Sequence, residues 1–139
     1  MGRLVTPERF LQPSRTRFHF LIVAVWAFAL TELGRFVYRP YVRRNAIDDF
    51  GLADSIGNLG GIVVQIFLTA AVVNSTRRQS YLLAVMLSLG YVAYEFLQPF
   101  LPRGTFDWKD VWATFLGMCF SALILWLIWR NPPGNGLPE

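Results

Sequence analysis

The chain has 139 residues, enough for one domain, and 54% of them are hydrophobic whereas only 16% are charged. A soluble domain carries about 25% charged residues, so this composition excludes an ordinary water-facing surface and indicates a multi-span membrane protein. The net charge is +4, but the arginines flank apolar runs, which indicates membrane topology and contact with lipid headgroups rather than nucleic-acid binding.

The first predicted elements are a basic arm at residues 1–17 and a membrane span at residues 18–38. A helix needs about 20 residues to cross the hydrocarbon of a bilayer, and residues 18–38 meet this length. Glu32 and Arg35 fall in the last turns of this span, and Pro40 is predicted to end it.

The second span is predicted at residues 55–76, after a mixed-charge loop at residues 41–53. It contains no charged residue. Gly57 and Gly61 have the small-xxx-small spacing that lets membrane helices approach closely, which predicts a helix-packing face. A tight turn at residues 77–80 is predicted to follow, so that the third span runs antiparallel to the second.

The third and fourth spans are predicted at residues 81–100 and 111–129. Glu95 and Gln98 lie near the end of the third span, and prolines follow them. Residues 131–139 are predicted to be an irregular tail after a transmembrane domain at residues 18–130. The fold class is therefore an all-α membrane protein with four transmembrane helices, arranged as two repeated helical hairpins.

Four spans place both termini on one side of the membrane. The predicted terminal side holds Arg3, Arg9, Arg15, Arg17, Arg77, Arg78 and Arg130, and the other side holds Arg39, Arg43, Arg44, Arg103 and Lys109. Loops rich in Arg and Lys face the cytoplasm, so the bias of seven to five favours cytoplasmic termini.

The two halves of the chain repeat a pattern of polar residues. The first half carries Glu32, Arg35, Asp54, Asn58 and Gly61, and the second half carries Glu95, Gln98, Asp110, Thr114 and Gly117. Since spans one and three run in the same direction, the polar residues of both hairpins are predicted to gather in a cup at the membrane face opposite the termini. Charged groups inside spans are costly and are functional candidates by default.

Ordinary helix chemistry offers an alternative for part of this pattern. Acids such as Asp54 and Asp110 are favourable at helix N-termini, and Asp107 fits an N-cap. Glycines such as Gly117 serve close helix packing whatever the function is. Glu32 and Arg35 are three residues apart, so they can pair with each other on one helix.

The second half also resembles a known family, the VanZ-like membrane proteins. The resemblance covers residues 95–117 and rests on Glu95, Gln98, Pro102, Arg103, Phe106, Asp107, Asp110, Val111 and Gly117. Thr114 stands where the family usually has asparagine, and Asn58 stands where its earlier motif has histidine. The family is linked to glycopeptide resistance rather than to a defined reaction. The resemblance implies a cell-envelope protein of the bacterial cytoplasmic membrane, with Glu95, Gln98, Arg103, Asp107 and Asp110 as site candidates.

Two functions follow from these observations. In the first, the cup binds an amphiphile, such as a membrane lipid or a lipid-linked intermediate, and Arg103 holds its phosphate or carboxylate. In the second, the chain is a non-catalytic subunit of a larger membrane complex. No hydrolase or nucleotide-binding motif occurs, and Cys119 and His19 lie in separate runs. The sequence therefore predicts no metal site and no cofactor, and it identifies no catalytic residue.

Overall fold

The computed structural model describes residues 14–102 and 104–130 of the chain. Within this part, four helices are long and apolar enough to cross a membrane: α1 (Arg15–Arg44), α2 (Leu52–Val72), α3 (Arg77–Leu97, continued by a 3-10 turn, Gln98–Phe100) and α4 (Trp108–Arg130). The predicted all-α membrane fold with four transmembrane helices in two hairpins is therefore confirmed.

Helix α2 is the centre of the bundle. It packs against each of the other three helices, and α3 also packs against α4, whereas α1 packs almost wholly on α2. Because short connections join the helices, the end of α1, the start of α2, the end of α3 and the start of α4 lie at the same membrane face. This face is called the cup face below, and the opposite one is the terminal face.

The apolar core lies in the half of the bundle nearer the terminal face. Phe20 of α1 is fully buried, with its ring 6.0 Å from that of Phe67 in α2 and 6.2 Å from that of Trp129 in α4. A hydrogen bond of 2.9 Å from Ser14 Oγ to Asn74 Oδ1 joins the start of α1 to the turn after α2. Burial of apolar side chains thus stabilises the end of the bundle at the terminal face. Polar residues occupy the other end, at the cup face.

Helix α1 does not end before Pro40, and this part of the prediction is wrong. The helix continues to Arg44, and residues Gly34–Tyr38 form a π-helical segment just before the proline. Proline lacks an N–H and its ring clashes with the carbonyl four residues earlier. The wider π turn changes the hydrogen-bond register at this point, so the helix passes through Pro40 without a break.

The turn between α2 and α3 also differs from the prediction, which placed it at residues 77–80. The chain reverses earlier, at residues 73–76, where Asn74 adopts a positive φ of 48°. Thr76 and Gln79 then form a capping box, in which each side chain bonds the backbone N–H of the other residue. These bonds satisfy donors that would otherwise be free in the first turn of α3, so the helix begins at Arg77.

The closest helix contacts involve glycines that the small-xxx-small pattern only partly identifies. A Cβ added at Gly117 of α4 would lie 2.6 Å from the carbonyl oxygen of Leu59 in α2. A Cβ added at Gly60 of α2 would clash with the Thr31 side chain of α1. The contacts of α2 with both α1 and α4 therefore require glycine.

Gly57, a predicted helix-packing residue, has no such role among the described residues. A Cβ added there would meet nothing within 4 Å, and one added at Gly61 would be 3.3 Å from the hydroxyl oxygen of Tyr91 in α3. The reason for the difference is helix rotation: Gly60 faces Thr31 of α1, whereas Gly57 points to a space that no described atom fills.

Candidate functional site

A buried carboxylate lies at the junction of α2, α3 and α4. Glu95 is only 2% exposed, although it is an acid two residues before the end of α3. Its Oε1 accepts a hydrogen bond of 3.0 Å from Asn58 Nδ2 on α2, and its Oε2 accepts one from Gln98 Nε2 on the following turn. The carboxylate is thus held by two amide groups, of which one comes from its own hairpin and one from the other.

The start of α4 brings a second acid to this junction. Asp107 caps the helix, because its Oδ1 accepts a hydrogen bond of 2.9 Å from the backbone N–H of Lys109. One turn later, the half-buried Asp110 carboxylate lies near enough to Glu95 for their negative charges to repel. We define the cup by Asn58, Glu95, Gln98 and Asp110.

Thr114 stands at the position where the VanZ-like pattern usually has asparagine, and its hydroxyl bonds to its own helix. Its side chain is fully buried, and its hydroxyl donates a hydrogen bond of 2.9 Å to the backbone carbonyl of Asp110, four residues earlier. A threonine that bonds to its own helix adds no free polar group to the site.

Aromatic rings support the loop that connects α3 to α4 beside the cup. The Phe106 ring stacks on Phe96 of α3 with 5.2 Å between centroids, and it meets Trp108 of α4 edge to face at 5.0 Å. This three-ring contact holds the end of α3 against the start of α4, and so fixes the spacing of Glu95 and Asp110.

Asp54 belongs to a separate ionic cluster at the cup face. Its Oδ1 lies 2.9 Å from an Arg39 nitrogen and 2.7 Å from an Arg43 nitrogen, and it is 54% exposed. The cluster joins the end of α1 to the first turn of α2. Exposed ion pairs contribute little to stability, and the two arginines largely satisfy Asp54, so we place it outside the cup.

Glu32 and Arg35 also lie outside the cup. Arg35 Nη1 is 3.0 Å from Glu32 Oε1, so the two residues pair on α1, as their i, i+3 spacing allows. Since α1 packs on α2 and not on α3, Glu32 does not join Glu95. Arg103, the predicted anion-binding residue, lies outside the described residues.

Two residues near the cup were missed by the sequence analysis. Ser55 is 5% exposed and faces Asp110, but its hydroxyl makes no hydrogen bond of standard geometry. Lys109 runs alongside Gly51, where an added Cβ would lie 2.7 Å from its Nζ. The positions of Ser55 and Lys109 beside acids were visible in the sequence, but their approach depends on how α2 and α4 pack.

The acids of the cup do not form a metal site with histidine or cysteine ligands. In residues 14–102 and 104–130, no group of three or more His, Cys, Asp or Glu side chains is placed to hold a metal ion.

Comparison of the chain with protein-family models, curated proteins and solved structures finds no match. The VanZ-like resemblance of residues 95–117 therefore stays a prediction.

Proposed function

We propose that this chain is a VanZ-like integral membrane protein of the bacterial cell envelope, whose cup binds the headgroup of an amphiphile. Its place is the cytoplasmic membrane, with the termini in the cytoplasm and the cup at the opposite face. The distribution of Arg and Lys supports this orientation, and the four apolar helices support a multi-pass protein.

The observation that carries the proposal is the burial of Glu95. A carboxylate within a membrane span is costly to keep, and replacing buried ionic groups by apolar ones is often neutral or stabilising. The 2% exposure of Glu95 next to the half-buried Asn58, Gln98 and Asp110 favours a binding role in which a headgroup takes the place of one of the amide contacts of this carboxyl group.

The chemistry of the cup indicates the kind of headgroup. The oxygens of carboxyl groups accept hydrogen bonds, and two carboxyl groups meet here. A headgroup that donates hydrogen bonds, such as one with hydroxyl or ammonium groups, complements Glu95 and Asp110. The cup lies at the ends of the membrane helices, which is the depth of lipid headgroups, so an amphiphile can reach it from the bilayer.

The test compares two phospholipids with identical acyl chains. Phosphatidylglycerol carries donor hydroxyls and phosphatidylcholine carries none. Native mass spectrometry of the purified protein is expected to show preferential retention of phosphatidylglycerol. Glu95→Gln should reduce this preference about fivefold, because a hydrogen bond to a charged group is about 1 kcal/mol stronger than one between neutral groups.

Glu32→Gln is the matched control, since it neutralises an acid of a membrane span that lies outside the cup. It is expected to leave the lipid preference unchanged. If Glu95→Gln retains the full preference while its thermal stability in detergent shows that it is folded, the cup does not bind the headgroup and the proposed function is wrong.

One observation favours the second function, a subunit of a larger membrane complex. Gln65 is exposed deep within the apolar part of α2, and it makes no hydrogen bond to the described residues. Gly57, Gly61 and Gln65 are four residues apart, so they share a face of the helix. Amides inside a membrane hydrogen-bond across helix interfaces, and glycines permit close approach.

This second function predicts a partner helix on the Gly57, Gly61 and Gln65 face. Native mass measurement of the protein extracted in mild detergent should then show a stoichiometric partner, and Gln65→Leu should lower its occupancy several-fold. Leu127→Ala, at an exposed position of α4, is the control. A wild-type protein that remains free of other chains in this extraction would contradict the subunit role.

A further inference from the structure

An apolar groove extends from the cup face along α2 and α4, and α1 lines only its inner part. It consists of two cavities of about 300 and 180 Å³ that share Leu59 of α2. Trp112 and Leu116 of α4 line the first cavity, and Leu30 of α1 and Phe120 of α4 line the second. We treat the two cavities as one groove along α4, because Leu59 lines both of them.

The length of the groove corresponds to one leaflet. Lys109 lies at its mouth and Phe120 at its inner end, eleven residues further along α4. At 1.5 Å per residue this is about 16 Å, and one half of a hydrocarbon core of about 30 Å is close to the same depth. A single acyl chain of the adjoining leaflet therefore matches the groove.

A cation stands at the mouth of the groove. Lys109 is the only lysine of the chain, and in the part that the structure describes its ammonium forms no salt bridge. Its side chain lies against Gly51, whose φ of +83° strongly favours glycine and where a Cβ would come within 2.9 Å of three Lys109 side-chain atoms. The backbone at Gly51 thus provides the room that places the ammonium at the mouth.

Asp49, the acid beside this lysine, already accepts hydrogen bonds from the backbone. Asp49 lines the same cavity, but its Oδ1 accepts a hydrogen bond of 3.1 Å from Gly51 N, and its Oδ2 accepts one of 2.7 Å from Ala53 N. These backbone donors at the start of α2 satisfy the Asp49 carboxylate, which leaves Lys109 as the charged group that can meet a ligand.

Ser55 connects the groove to the cup. It lines the 300 Å³ cavity and also faces Asp110, a member of the cup. A molecule with its chain in the groove therefore has its headgroup beside Lys109, with the acids of the cup next to it.

We propose that the groove binds one acyl chain of a phosphate-bearing amphiphile and that Lys109 binds the phosphate. This inference rests on the proposed function, because it identifies the ligand of the cup as a phospholipid-like molecule with hydrogen-bond donors beyond its phosphate. Lys109 then selects for the phosphate, and the cup selects for the donors.

The test uses two lipids that share acyl chains and hydroxyl-bearing headgroups. Phosphatidylglycerol contains a phosphate, whereas glucosyl diacylglycerol does not. The wild-type protein should retain phosphatidylglycerol preferentially in native mass spectrometry. Lys109→Gln should lower this preference about tenfold, as expected for loss of a charge-assisted contact, and Lys109→Arg should keep most of it. Arg44→Gln, which removes a cation at the same face but outside the groove, should have no effect.

A second variant tests the groove itself. Leu116→Trp places a larger side chain into the 300 Å³ cavity and should lower the retention of both lipids several-fold. Leu127→Trp makes the same change eleven residues further along α4, on the same side of the helix but in the opposite leaflet, and should leave retention unchanged.

The outcomes separate this inference from the proposed function. If Glu95→Gln loses the preference for phosphatidylglycerol over phosphatidylcholine while Lys109→Gln keeps the preference for phosphate, the cup binds a headgroup but Lys109 does not bind its phosphate. Equal retention by the Leu116→Trp and Leu127→Trp proteins would show that the acyl chain does not lie in the groove. If Glu95→Gln is without effect, the proposed function itself has failed.

Discussion

Gly117→Ala is expected to destabilise the helix bundle by about 1–3 kcal/mol, the usual cost of overpacking a well-packed interior. The added Cβ would lie 2.6 Å from the carbonyl oxygen of Leu59 and would also clash with the Ile62 side chain. The carbonyl belongs to the backbone of α2, so it cannot move aside by a change of rotamer. Helices α2 and α4 would have to separate, and both sides of the cup would move with them.

Gly57→Ala is the matched control for this prediction. Both glycines lie within membrane helices, but an added Cβ at Gly57 meets nothing within 4 Å. Because alanine is also the better helix former, we expect no loss of stability in this variant. Unfolding of the two proteins in the same detergent micelles provides the comparison. A Gly117→Ala protein as stable as the Gly57→Ala protein would contradict the close packing of α2 and α4.

The sequence was sufficient to predict the membrane spans because hydrophobicity and helix length determine them. The prediction was less reliable at Pro40. Proline usually ends a regular α-helix, but here a π-helical segment comes just before it and the helix continues. The turn after α2 was misplaced for a similar reason. Arg77 and Arg78 are polar enough for a turn, but the Thr76 and Gln79 capping box makes them the first residues of α3.

The site was predictable only as far as it depends on local spacing. Gln98 lies three residues after Glu95, so a contact between their side chains follows from helix geometry alone. Asn58 is 37 residues away from Glu95, and its contact requires the register of α2 against α3. The repeat suggested equivalent roles for Glu32 and Glu95, but α1 lies apart from α3, so only Glu95 reaches the centre of the bundle.

The residues that form the apolar core and the candidate binding residues lie at different depths along the membrane normal. Large side chains such as Phe20, Phe67 and Leu125 are buried toward the terminal face, whereas the cup face is held by polar contacts and glycine packing. Polar contacts can be exchanged for contacts with a ligand more readily than buried rings can. This distribution explains how a bundle of four membrane-spanning helices can maintain a polar site at one membrane face.

The contact between Glu95 and Asn58 is expected to be one of the strongest polar interactions between helices in the bundle. Hydrogen bonds to charged groups contribute about 1.5–3 kcal/mol. Glu95→Leu leaves the Asn58 amide without its partner, and Asn58→Leu leaves the buried carboxylate without its donor from α2. Each variant should therefore be destabilised by about 2 kcal/mol or more. The double variant should lose clearly less than the sum, with a coupling energy of about 1.5–3 kcal/mol.

A second double-mutant cycle at the same membrane face provides the reference. Arg43 and Asp54 join α1 to α2 through a contact of 2.7 Å, but both side chains are more than half exposed. Their coupling energy should remain below about 1 kcal/mol. Both cycles are measured by equilibrium unfolding in detergent. The structure predicts a larger coupling for the buried pair, and additive losses for Glu95 and Asn58 would mean that α3 and α2 are not joined through this carboxylate.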